Sequence, residues 1–226
     1  MPADPADVFV TVYPGTCTVE YHPLDVDRDM PVVHGWLRQD YARHWGMQDQ
    51  SLAQARAAYE RLARQPDQDI RIGRLGGTLP PLCLLECYHP LLDMLAEHCD
   101  VQASDRGLHL LVAPHEQRPR GISCVAWYLL HAAADHLFRD PAVQRILVEP
   151  DIRNEAMHVL CGQAGYEAAE VLHLPDKTAL LLQLTRDRHA RQPGSPPPRA
   201  APPLTPAQVQ RHLMLGRVKR RLHTIF

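Results

Sequence analysis

A chain of 226 residues has room for one domain-sized apolar core and an appendage, and its formal net charge of −2 supplies no overall field toward nucleic acid or an anionic membrane. No apolar run approaches the roughly 18 residues of a membrane span, and the start, MPADPADVFV, is acidic and proline-bearing, so neither secretion nor a membrane anchor is expected. The six cysteines (Cys17, Cys83, Cys87, Cys99, Cys124, Cys161) form no CxxC pair and mostly lie inside apolar runs, where a reduced thiol acts as a small hydrophobe; a cytosolic setting is expected.

Residues 8–13 (VFVTVY) and 17–22 (CTVEYH), separated by Pro14-Gly15, predict a hairpin of β-branched and aromatic residues. The carboxylates of Asp27 to Asp29 offer caps for a short helix carrying Val32, Val33, Trp36 and Leu37. SLAQARAAYERLAR (51–64) spaces Leu52, Ala55, Tyr59 and Leu62 helically behind a serine cap. Segments 69–74 and 81–88 predict two antiparallel strands across Gly76-Gly77, with a brief helical turn at 91–97. The polar DVQASDRG predicts a loop leading into a central strand at 107–113. Next come an amphipathic helix through SCVAWYLLHAAADHLF, a buried strand at 144–150 and a helix at 154–165 ending at a glycine. YEAAEVLHL and KTALLLQL complete the domain as an antiparallel pair, giving β-β-α-α-β-β-β-α-β-α-β-β over residues 1–189.

Residues 190–206 hold seven of the 21 prolines, too many for strand or helix, which predicts an extended linker. Residues 207–226 set Val209, Leu213, Val218, Leu222 and Ile225 to one side of a helix and Arg217, Lys219, Arg220 and Arg221 to the other, a basic amphipathic tail.

Chemistry concentrates between Gly107 and Asn154. A strand that ends in a glycine turn and feeds a helix presents unpaired N–H groups and a positive dipole end to a phosphate-bearing ligand. The turn Arg118-Pro119-Arg120-Gly121-Ile122-Ser123 resembles the R/Q-x-x-G-x-G/A pattern of the GCN5-related N-acetyltransferases, with Ser123 in place of the second small residue. A basic hexamer with one glycine also occurs in ordinary surface loops, and its position between an apolar strand and an amphipathic helix is what favours a coenzyme A pyrophosphate.

The wider combination of HGWLRQDYARHWGM (34–47), LECYHPLLDML (85–95), RGLHLLVAP (106–114), LFRDPAVQRILVEPDIRN (137–154) and LPDKTALLLQLTRDR (174–188) resembles the N-acyltransferases of hydroxamate siderophore biosynthesis. That family includes the aerobactin and alcaligin acyltransferases and the mycobactin lysine acylating enzyme, and the wording is most similar to the alcaligin branch. The resemblance implies an α/β fold whose mixed, mostly antiparallel sheet splays between two central parallel strands, flanked by helices. It implies acyl-CoA as co-substrate, with no permanently bound cofactor, and it implies iron acquisition as the setting. His109 of GLH and Asp151 of EPD match the family's proposed catalytic pair. The backbone of Leu111, Val112 and Ala113, with Arg118, Arg120, Gly121, Ile122, Ser123 and Asn154, matches the coenzyme A site, and His34 and Trp36 match the H-x-W motif near the acceptor. On residue types, Trp36 and Trp45 with His34 and His44 are compatible with an acceptor wall, and the two indoles equally with core aromatics. The implied acceptor is an N-hydroxylated diamine or lysine, N-hydroxyputrescine with succinyl-CoA on the alcaligin likeness, and the tail is a candidate dock for a siderophore synthetase.

Residue types are consistent with that chemistry. An N-hydroxyamine is largely neutral at pH 7, so a base mainly orients it and collects one proton, which suits a histidine near its ordinary pKa of about 6.5. His109 is read as that base, and Asp151 as its partner or as the anchor of the N-hydroxyl group. On the residues alone, His109 alternates with leucines as a core histidine would, Asp151 could cap the helix near Asn154, and Arg153 and Asn154 could brace that turn. The 14 histidines are scattered without HxxxH or HExxH, so no metal is expected, and Asp135-His136 reads as a solvated helix face. Rival readings are an N-acetyltransferase for aminoglycosides or protein amino termini, which an open acidic cleft would favour, and a non-catalytic acyl-CoA-binding module.

Overall fold

The computed structural model describes residues 8–76 and 80–196. Its eight strands are β1 (Phe9–Tyr13), β2 (Cys17–Pro23), β3 (Gln68–Leu75), β4 (Cys83–Tyr88), β5 (Asp105–Val112), β6 (Arg145–Val148), β7 (Glu167–His173) and β8 (Thr178–Thr185). They make one sheet in the order β1-β2-β3-β4-β5-β6-β8-β7, antiparallel except where β5 meets β6. The helices are α1 (Val26–Leu37), α2 (Leu52–Leu62), α3 (Val125–Leu137), α4 (Glu155–Gln163) and α5 (Arg186–Ala190). This is the expected mixed sheet, with short 3-10 turns at Asp40–Trp45 and Pro90–Leu92.

Local chemistry explains most boundaries. Ser51 and Gln54 close a reciprocal capping box on α2, with bonds of 3.3 and 2.8 Å, an arrangement that contributes about 1 kcal/mol. The cap of α1 is Asp25, which accepts from the Arg28 N–H at 3.0 Å, and not the Asp27–Asp29 group expected. Asp29 instead turns inward, buried between Arg28 at 2.7 Å and Arg74 at 2.9 Å. β5 starts two residues earlier than its polar sequence suggests, because the buried Asp105 lies opposite Arg145 in the parallel ladder and receives its guanidinium at 2.6 and 3.0 Å. A charged residue enters a sheet when its counter-charge stands directly across from it. The pattern did not anticipate α5, since RDRHA has no apolar period; Thr185 starts it by accepting from the Arg188 N–H at 3.3 Å.

The core lies between the sheet and α3, which packs against β1, β2 and β5. Tyr21 is buried from β2 and donates its hydroxyl to the Leu129 carbonyl at 2.8 Å, pinning helix to hairpin. β4 is buried along its whole length, as its near-continuous apolar sequence requires for a central strand. Among the described residues no helix is long and apolar enough to cross a membrane. All six cysteines are free thiols. The linker and tail expected beyond residue 189 lie, from residue 197 onward, outside the described residues.

Two features of this frame position the site. The β5–β6 ladder runs only from Asp105↔Arg145 to Gly107↔Leu147; β5 then continues to Val112 while Val148 pairs with Leu182 of β8, so the strands part. Gly107, at the last rung, lies under the Tyr88 ring: a Cβ there would fall 2.1 Å from it. The glycine of GLH is therefore a packing requirement at the mouth of the split.

Candidate active site

A cavity of about 900 Å³ opens where β5 and β6 diverge, bounded by the Asp40–Trp45 turn, α2, β4, α3 and α4. Its chemistry is a chain of hydrogen bonds across four elements. The Trp45 indole donates to the Tyr59 hydroxyl at 3.0 Å, and Tyr59 donates to Glu86 at 2.7 Å. Glu86 stands directly opposite His109 in the β4–β5 register and meets its Nδ1 at 3.1 Å. The other ring nitrogen, Nε2, meets Glu149 at 2.8 Å, and Glu149 also accepts from Tyr88 at 3.1 Å and from Lys177 at 3.4 Å.

His109 is thus held between two carboxylates. Burial alone would lower its pKa, but the charge and hydrogen bond of Glu149, joined by those of Glu86, outweigh it and raise the pKa to about 10. Burial opposes ionisation of Glu149, yet His109 and Lys177 bring its pKa down to about 2. The His109 side chain keeps 38% of its surface accessible, so it is approachable from the cavity while both ring nitrogens are engaged. The structure does not pair His109 with Asp151: the ring's partners are Glu86 and Glu149, and they favour its protonated form over the near-neutral ring expected of a base.

Asp151 follows β6 on the same cavity wall and has its own partners. Its carboxylate takes the Arg153 guanidinium at 2.8 and 2.7 Å and the Arg153 N–H at 2.8 Å, which hold it well below the usual carboxylate range. His44 Nδ1 lies 3.7 Å from its Oδ2. Asp151 does not cap α4; Asn154 does, accepting from the Met157 N–H at 3.3 Å.

The remaining expected residues divide. Leu111, Val112, Arg118, Asn154 and Trp45 line the cavity. Ala113 sits behind it, its N–H given to the Leu82 carbonyl at 2.8 Å and its own carbonyl taken by Arg118 Nε at 2.7 Å. Arg120, Gly121 and Ser123 are exposed and Ile122 is half-buried on the turn into α3. That turn ends at Cys124, whose positive φ of 58° starts α3 with no side-chain cap. Among the described residues no acceptor is found for the N–H groups of residues 120–126. His34 and Trp36 do not line the cavity. His34 binds the Gln50 carbonyl at 2.8 Å, and Trp36, 1% exposed, donates to Gln117 at 2.9 Å on the buried face of α1 with Met30, Val33 and Leu37.

The sequence reading missed Glu86, Glu149, Tyr59 and Lys177. The first two had a signal: a lone acid inside an apolar strand, as in LLECY or ILVEP, must find a partner when buried. Asp135-His136 is likewise no solvated face. Asp135 binds His189 of α5 at 2.6 Å and His131 at 3.4 Å, and His136 stacks on Phe9 at 3.5 Å. The His131, Asp135 and His189 atoms lie within 4.8 Å of one another, outside the cavity, and Tyr13 also meets His131 Nδ1 at 2.9 Å.

Comparison with known proteins agrees with this architecture. The chain is 32% identical over 109 residues to an N(6)-hydroxylysine O-acetyltransferase of Escherichia coli, an overlap of 48% of this chain and 33% of that protein. It is 30% identical over 94 residues to a lysine N-acyltransferase of Mycolicibacterium paratuberculosis, covering 42% and 41%. The chain thus spans a third to a half of the length of the curated relatives it matches. Among solved structures, an uncharacterized protein of Bacillus halodurans superposes with a TM-score of 0.73 at 22% identity, covering 83% of this chain and 95% of that one. An aminoglycoside acetyltransferase in complex with coenzyme A gives 0.66 at 24% identity, covering 76% and 98%. The profile of the acetyltransferase (GNAT) domain matches residues 25–174, and with the split sheet and its cavity this places the chain in the GNAT acetyltransferase family.

Proposed function

We propose that the protein transfers an acyl group from acyl-CoA to the hydroxylated nitrogen of a small diamine or lysine, forming a hydroxamate for siderophore biosynthesis in the cytosol. N-hydroxyputrescine and succinyl-CoA are the preferred pair. The observation that carries the reading is the His109–Glu86–Glu149 cluster at the floor of a cavity whose rim holds an uncapped helix N-terminus. The free N–H groups of the turn before α3 and its positive dipole end suit the coenzyme pyrophosphate, with Arg118 on the wall beside them.

In this reading His109 is an ordered cation rather than a base. It keeps Glu149 ionised, and Glu86 and Glu149 are the groups that meet the acceptor's distal ammonium, while Asp151 anchors the N-hydroxyl hydrogen. The names of the hydroxylysine and lysine acyltransferase relatives support an amine of this size. A polycationic aminoglycoside acceptor is less suited, because His109 and Lys177 beside Glu149 and Arg153 beside Asp151 offset most of the negative charge facing the cavity, which leaves enough for one ammonium and not for several. Residues 207–226 are proposed to dock a downstream synthetase.

The test is to incubate the protein with acetyl-CoA or succinyl-CoA against N-hydroxyputrescine, N-hydroxycadaverine and N6-hydroxylysine, following thiol release and product mass. A hydroxamate product is expected, with His109→Ala and Asp151→Asn strongly impaired. Turnover confined to unhydroxylated amines, or tight acyl-CoA binding with no turnover, would overturn the reading.

A further inference from the structure

We infer that His44 is the group that accepts the proton from the attacking nitrogen, with Asp151 orienting its ring; this rests on the proposed acyl transfer. His44 sits in the Asp40–Trp45 turn, which ends at Gly46 with a positive φ of 73°, and it lines the cavity beside Trp45. The Trp45 ring lies edge-on 6.1 Å from that of His109, so His44 stands next to the charged cluster without belonging to it.

Occupancy of the neighbouring groups argues for His44. Both nitrogens of His109 are taken by carboxylates, and Glu149 is shared by His109, Lys177 and Tyr88. The Asp151 carboxylate is gripped by both arms of Arg153. His44 turns Nδ1 toward Asp151 Oδ2 at 3.7 Å, and Nε2 bonds to none of the described residues and is not sealed from the cavity. A carboxylate near Nδ1 favours the tautomer with hydrogen on that atom and a lone pair on Nε2. The surroundings keep the ring neutral: burial lowers its pKa and the cations Arg43 and Arg153 add to this, against the opposing pull of Asp151. His158 of α4 also lies beside Asp151, on its backbone side, and burial lowers its pKa.

In the step, the hydroxylated nitrogen bonds to the thioester carbon and the C–S bond breaks, with its electron pair leaving on the coenzyme sulfur. The proton of the nitrogen passes to His44 Nε2, and the imidazolium returns it to the thiolate or to solvent.

The experiment compares wild-type and His44→Gln proteins in thiol release from succinyl-CoA with N-hydroxyputrescine across pH, with folding checked by thermal melting. Glutamine can face Asp151 but cannot take a proton. The expected result is a fall in kcat of about 100-fold, with the KM for acyl-CoA unchanged. The acid-side limb of the kcat profile should vanish, and added imidazole should partly rescue a His44→Gly protein. A His44→Gln enzyme within twofold of wild type that keeps the acid limb would overturn the assignment and leave the function standing. Absence of turnover by wild type on every N-hydroxyamine would bring down the function, and the assignment with it.

Discussion

Two of the histidines that line the cavity, His109 and His44, are driven in opposite directions. His109 has two carboxylates at 3.1 and 2.8 Å, and its proton affinity rises despite burial. His44 has one carboxylate at 3.7 Å, already committed to an arginine, and burial lowers its proton affinity. The same side chain becomes a fixed cation at one position and a neutral ring at the other because of how many negative charges reach it and how closely they approach. Identifying a catalytic histidine from its strand position alone misses this, since the deciding residues lie on other elements.

The largest expected effect comes from removing the cation. His109→Ala leaves Glu86 and Glu149, 11% and 7% exposed, facing each other without it. Breaking a buried charge cluster in this way costs about 3–5 kcal/mol, and denaturant melts should show it together with loss of hydroxamate formation. The double variant with Glu149→Gln should recover part of the stability but not the activity. Recovery of neither would mean that the repulsion is not what destabilises the single variant.

A similar expectation attaches to the glycine before it. In Gly107→Ala the new methyl meets the Tyr88 ring, which holds Glu149 through its hydroxyl. Overpacking of this kind costs about 1–3 kcal/mol. Pairing it with Tyr88→Ala should cost clearly less than the two changes summed. Strict additivity would show that the ring is free to move aside.

The two histidines should also shape stability against pH with opposite signs. His109 has a raised folded pKa, so its contribution is complete below its unfolded pKa of about 6.5 and is lost as pH rises through about 10. His44 has a lowered folded pKa, so its contribution is present above that unfolded value and is lost as pH falls through the folded one. Denaturant melts across pH should therefore lose their alkaline decline in a His109 variant and part of their acid decline in His44→Gln. Unchanged profiles would remove the electrostatic contrast.

How much of this was legible in the sequence depended on whether a residue's role was set by its near neighbours. The Ser51 cap, the Pro14-Gly15 turn and the alternating strands were readable because they depend on residues a few places away. Asp105 was misread as loop because its partner Arg145 is 40 residues on, across a parallel pairing that no local pattern encodes. Glu86 and Glu149 are visible in LLECY and ILVEP, yet their role needs the β4–β5 register and the turn after β6. GLH and EPD converge on one cavity, since His109 and Asp151 both line it. The partnership between them was the part that spacing could not supply.

The smallest expected effect concerns His34, the first residue of the H-x-W motif read as acceptor wall. On α1, residues two apart point to different faces, so His34 and Trp36 cannot share one wall. Trp36 goes into the core, and His34 reaches across to the Gln50 carbonyl just before the α2 cap. Its side chain therefore ties the end of α1 to the start of α2, one partly buried hydrogen bond worth about 0.5–1.5 kcal/mol. His34→Ala should lower the melting midpoint slightly and leave kcat and both KM values within twofold of wild type. A tenfold rise in the KM for the N-hydroxyamine, with folding intact, would restore the motif to the acceptor site and extend the cavity past the Asp40–Trp45 turn. An unchanged KM would restrict the chemistry to the split between β5 and β6, where His109 as a cation and His44 as a neutral ring meet the same substrate.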